Sequence, residues 1–104
     1  MRHRAAWLLC AWVLWHESVS VFPSRGGDPI EILTIVEAYE KRSECDAAAL
    51  FHAKREEVNR LKSGSYEKVT RDRTWTFWEG AGVLGNHRFR CLPAGTEPRA
   101  RRKE

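Results

Sequence analysis

Apolar and polar positions divide the chain into regions of different period. Ala5 to Trp15 is an unbroken apolar run behind Arg2 and Arg4, and small residues follow at Ser18 and Ser20. A basic start, a short apolar run and small residues just before Val21 describe a secretory leader over residues 1–20. The run is shorter than the roughly 20 apolar residues a bilayer span needs. Residues 21–27 hold Pro and two Gly and read as a flexible lead-in. Asp28, Pro29 and Glu31 then form a helix-start pattern: a capping carboxylate, a proline at the first turn, and an acid placed for a capping box. Ile32, Ile35, Val36 and Tyr39 follow at helical spacing and predict one amphipathic helix. A second helix is predicted over residues 46–62. Ala47, Leu50, Phe51, Val58 and Leu61 form its buried face, and Gly64 is its stop. The pattern leaves open whether residues 43–45 separate these helices or continue them. Tyr66 to Thr70 suits a short strand or an extended linker.

From Thr74 to Leu92 the period changes to two. Trp75 and Phe77 point one way, Thr74, Thr76 and Trp78 the other; His87, Phe89 and Cys91 share a face opposite Arg88 and Arg90. Gly80, Gly82, Gly85 and Asn86 interrupt the alternation, so the stretch reads as two antiparallel strands joined by a glycine-bearing turn. The expected fold class is α+β: two amphipathic helices followed by an antiparallel hairpin, within one small domain over residues 28–92. Residues 93–104 are expected to be a disordered basic tail.

Composition changes the picture in two ways. Removing the leader takes Cys10 with it and leaves Cys45 and Cys91. In an oxidising compartment an even count favours one bridge between them, unless each pairs with another chain. Charge is also uneven. Residues 28–57 carry eight acids and four bases, whereas residues 58–104 carry eleven bases and five acids. Either the two halves pack against each other or the basic half meets an anionic partner.

Candidate chemistry is sparse. Cys45, His52, His87 and Cys91 offer four metal donors, but their spacing lacks the tight pairs of a zinc site, and a bridge between the cysteines is the expected use. The run Gly80 to Gly85 matches G-x-G-x-x-G, yet a strand follows it where a phosphate-binding loop would lead into a helix. No serine sits in a nucleophile-elbow context. Hence no catalytic residue, metal or cofactor is assigned, and enzyme activity is not expected. Arg71, Arg73, Trp75, Trp78, Arg88 and Arg90 interleave charge with rings, a pattern that holds anionic polymers. Outside the cell such a partner is a glycosaminoglycan, not a nucleic acid. Arg99 to Arg102 matches a furin-type processing pattern, so a peptide precursor is the alternative reading of the basic end.

Residues 57–92 resemble the opening of a tick salivary lipocalin of the histamine-binding group. The likeness lies in a helix through Val58 and Leu61, then Trp75-Thr76-Phe77, the turn at Leu84-Gly85-Asn86, and Phe89-Arg90-Cys91-Leu92. The resemblance implies an incomplete lipocalin-like barrel and a secreted, non-catalytic binder of a biogenic amine or lipid, with Trp75 and Trp78 as wall residues. A secreted interaction protein acting through its basic surface, on a host extracellular protein or glycosaminoglycan, is the runner-up. No membrane association is expected once the leader is removed.

Overall fold

The computed structural model describes residues 11–23, 26, 28–80 and 82–98. Among these residues five strands and one helix follow each other in the order β1 (Trp12–Val21), β2 (Ile30–Tyr39), α1 (Arg42–Ser63), β3 (Lys68–Asp72), β4 (Trp75–Gly80) and β5 (Val83–Pro93). The strands form one open antiparallel sheet in the order β2-β1-β5-β4-β3. The helix crosses one face of it. This corrects the expectation of two helices and a hairpin, and an open sheet is not part of a closed barrel.

The predicted first helix is strand β2. Ile30, Ile32, Thr34, Ile35 and Val36 are β-branched, which favours the pleated conformation over a helical turn. The four positions that matched a helical stripe span only two turns, too few to hold a helix without a partner face. Antiparallel pairing with β1 uses nearly the whole strand, with Val36 left over where the register jumps from Leu14↔Glu37 to Trp15↔Ile35. That extra residue is a β-bulge.

Strand β1 lies between β2 and β5 and pairs along its length with both. Leu14, wholly buried, sits on it. The last four residues of the apolar run, Trp12 to Trp15, and the rest of the assigned leader as far as Ser20 are therefore built into the sheet, and a cut before Val21 would remove nearly all of that strand from this fold. Residues 1–10, including the basic start, and residues 99–104, including the processing pattern, lie outside the described residues.

Helix α1 begins earlier than predicted and ends where predicted. Alanines at 47, 48, 49 and 53 supply helix propensity. Glu44 in the first turn and Arg60 and Lys62 in the last suit the helix dipole. Gly64 closes it in the left-handed conformation, at φ 67°, and its amide donates to the Leu61 carbonyl. The buried face is not the predicted one. Cys45, Ala49 and Ala53 face the sheet, while Leu50, Phe51, Val58 and Leu61 are exposed. The small residues let the helix approach closely, and the Cys45–Cys91 disulfide fixes that side against β5. Closing a loop of 46 residues contributes roughly 4 kcal/mol on a chain-entropy account.

Strand alternation then sorts the sheet into two faces. Leu14 and His16 on β1, His87, Phe89 and Cys91 on β5, and Thr76 and Trp78 on β4 lie toward α1. Glu17, Arg88, Arg90, Trp75 and Phe77 lie on the opposite face. The β4–β5 hairpin forms with the faces predicted for Trp75 to Trp78, but its turn is shorter than expected. Gly85 and Asn86 sit inside β5, paired with Trp78 and Phe77. Gly85 is there because the Trp78 ring occupies the space a Cβ would fill, 2.5 Å away.

Candidate anion-binding cleft

Two sites bring polar side chains together. One is buried. His16 Nε2 and His87 Nδ1 are 3.0 Å apart across β1 and β5. Phe89 stacks on His16, and the Trp78 ring meets His87 edge-on. His87 is 1% exposed and its Nε2 has no hydrogen-bond partner. Burial, the neighbouring His16 and the Arg60 guanidinium push its pKa down to about 3. His16 is also lowered, chiefly by burial, with Arg60 and His52 adding to the shift and Glu56 and Glu17 opposing it. The shared bond needs one ring nitrogen to donate and the other to accept, so it is a bond between imidazoles that are not both charged.

The other site is open. Strand β4 stops at Trp75, opposite Arg88, and the Phe89 amide makes the last bond on that side, to the Thr74 carbonyl. Beyond this point the β5 edge has no neighbouring strand among the described residues. Helix α1 on one side and the β3–β4 turn on the other flank the gap. The result is a cleft of about 770 Å³. Arg42, Lys54, Arg71, Arg73, Arg88 and Arg90 line it, and Asp46 is its one acidic lining residue.

The helical contribution has a simple cause. Arg42, Asp46, Leu50 and Lys54 recur every four residues and so form one row along α1. The turn contributes Arg73, whose φ of 59° is left-handed and holds it at the rim. Arg71 is fixed from behind by Glu57 at 2.8 Å and donates to the Arg73 carbonyl. Arg88 and Arg90 share Glu17. Arg90 Nε lies 2.8 Å from a Glu17 oxygen and is a well-formed charge-assisted bond. Arg88 Nε lies 3.3 Å from the same oxygen without hydrogen-bond alignment, while Arg88 Nη2 donates to the other Glu17 oxygen at 3.4 Å. Six cations against Asp46, Glu57 and Glu17 leave a net charge of +3. Lys54 and Arg73 have no acidic partner among the described residues.

Five of the six residues read from sequence as a basic, aromatic surface line this cleft: Arg71, Arg73, Trp75, Arg88 and Arg90. The Arg88 guanidinium sits 4.3 Å from the Trp75 ring centre. Trp78 lies elsewhere. Its ring is 6% exposed beneath α1, with the Arg60 guanidinium 3.5 Å from its centre. Of the two residues nominated as ligand walls, Trp75 is thus beside the cleft and Trp78 is in the core. Cys45 and Cys91 are bonded to each other, which takes two donors from the metal candidate, and among the described residues no cluster of three ligating side chains forms. Sequence reading did not join Arg42 and Lys54 to this surface, because only the folded helix brings their row to the β3–β4 turn. It missed His16 and Glu17 because they fell within the assigned leader.

Family models, characterised proteins and solved structures offer no match to this chain.

Proposed function

We propose that the protein is a secreted, non-catalytic binding module for an anionic ligand held in the cleft between α1 and the β3–β4 turn. The carrying observation is that Lys54 and Arg73, two cations with no acidic partner among the described residues, line the cleft with the Trp75–Arg88 stack. A unit anion about 4 Å from one such cation gains about 4 kcal/mol at the effective dielectric of a protein surface, before desolvation. Several cations in one concavity also focus the field and draw anions inward. An amine, one of the ligands implied by the lipocalin resemblance, would meet a net charge of +3 and be repelled. The anionic alternatives, a lipid acid or a sulfated sugar, fit the same charge. The disulfide supports an oxidising, extracellular setting.

Retention on immobilised heparin tests this reading. Lys54→Gln combined with Arg73→Asn removes two cations, and asparagine tolerates the left-handed turn. The double variant elutes at lower salt than the parent, and a control double variant of equal charge, Lys41→Gln with Lys62→Gln at exposed positions outside the cleft, shifts elution less. Equal shifts from the two would show that net charge, not the cleft, is being read.

A further inference from the structure

The cleft does not end at Trp75. On the face away from α1 the Trp75 and Phe77 rings stack, 5.7 Å apart and nearly parallel at 9°. Phe77 in turn lines a separate groove of about 310 Å³. Val19 and Val21 from β1 and Leu84 from β5 complete the apolar part of that groove, and Lys68, Glu79 and Asn86 edge it, with Lys68 and Glu79 opposite each other in register. Phe77 and Leu84 are large apolar groups left 43% and 45% exposed. The register explains the alignment. Trp75 pairs with Arg88, Phe77 with Asn86 and Glu79 with Leu84, while Val19 and Val21 pair with Asn86 and Leu84. One face of three adjacent strands thus runs from a cation to rings to aliphatic side chains. From Arg88 to Leu84 the path is four residues of strand, about 13 Å.

A surface ordered in this way has polarity along its length. We infer that the ligand is a single amphipathic anion: a carboxylate or sulfate head held by the cations of the cleft, and an alkyl chain laid across Trp75 and Phe77 into the groove of Val19, Val21 and Leu84. The inference rests on the proposed anion site and adds the apolar chain. Charge complementarity sets the orientation, since the cleft carries a net charge of +3 whereas at the groove Lys68 stands opposite Glu79 and their charges offset. A polyanion without apolar parts would leave the groove unused, and an uncharged alkyl compound would leave Lys54 and Arg73 unpaired.

The test is isothermal titration of the full chain, disulfide intact, with butanoate, decanoate and decanol. Decanoate binds more tightly than butanoate by on the order of tenfold or more, as burial of the added methylenes requires. Leu84→Glu, at an exposed position that leaves the core untouched, abolishes the gain from chain length and preserves butanoate binding. Lys54→Gln with Arg73→Asn weakens both acids alike. Equal affinity for the two acids, or a chain-length gain that survives Leu84→Glu, overturns the inference and leaves the anion site standing. Decanol binding as tightly as decanoate removes the role of the charged head. If neither acid binds, the anion site and the inference fall together.

Discussion

Mild acidification should destabilise this protein, and the His16–His87 pair sets the size of the effect. An unfolded imidazole takes its proton near pH 6.5, whereas His87 in the folded chain does so only near pH 3. The folded pKa is depressed, so below pH 6.5 the unfolded state binds the extra proton. Stability is complete above about pH 6.5 and falls as the pH drops toward 3. At pH 5 the integrated loss for His87 alone is about 2 kcal/mol. His16, lowered in the same direction, adds to it. Small domains hold only about 5–15 kcal/mol in total, so the loss is large. Urea denaturation followed by tryptophan fluorescence, repeated from pH 7.5 to 5, measures it. The midpoint should move to lower urea by an amount matching that loss. Replacing both histidines by phenylalanine removes the titrating pair together and should flatten the profile. A midpoint level between pH 7 and 5 would refute the reasoning, as would a slope that persists in the double variant.

Four further outcomes follow from the packing. Gly85→Ala drives a methyl group into the Trp78 ring and should cost roughly 1–3 kcal/mol in thermal or urea unfolding. Reducing the disulfide should lower stability by roughly 4 kcal/mol, or unfold the chain, measured by circular dichroism with and without a thiol. Glu17→Gln leaves Arg88 and Arg90 without their shared carboxylate. It should destabilise by about 1–3 kcal/mol and raise the salt needed for elution from heparin. Ile32→Lys, on edge strand β2 where the side chain is 53% exposed, should suppress association at high concentration in sedimentation while moving stability by less than about 0.5 kcal/mol.

The β4–β5 hairpin was legible because alternating rings leave no other reading: each strand buries one face and the period is two. The end of α1 was legible from Gly64, whose left-handed conformation few other residues adopt. Strand β2 was not. Its sequence fits a helical stripe for two turns and a strand for ten residues, and only its long pairing with β1 decides between them. Strand β1 was hidden for a different reason. An apolar run near an N-terminus has the same composition whether it is exported and removed or buried between two neighbours. The buried face of α1 was misread because three small residues pack more closely than the larger ones beside them. For the cleft, the residues on the sheet and turn were visible as charge interleaved with rings. Its helical wall was invisible until the disulfide set which row of α1 faces the β3–β4 turn.

The covalent link between Cys45 and Cys91 straddles the connection from α1 to β3. A protease that nicks the exposed stretch around Gly64 and Ser65 would produce two pieces, one with β1, β2 and α1, the other with β3, β4 and β5. They would not part, because the sulfur bridge joins them and β1 still lies against β5. The nicked molecule should migrate as one species until a reductant is added, and then as two. The connection is thus dispensable for holding the molecule together, and a loop inserted there, or new chain ends opened there, should leave the architecture in place.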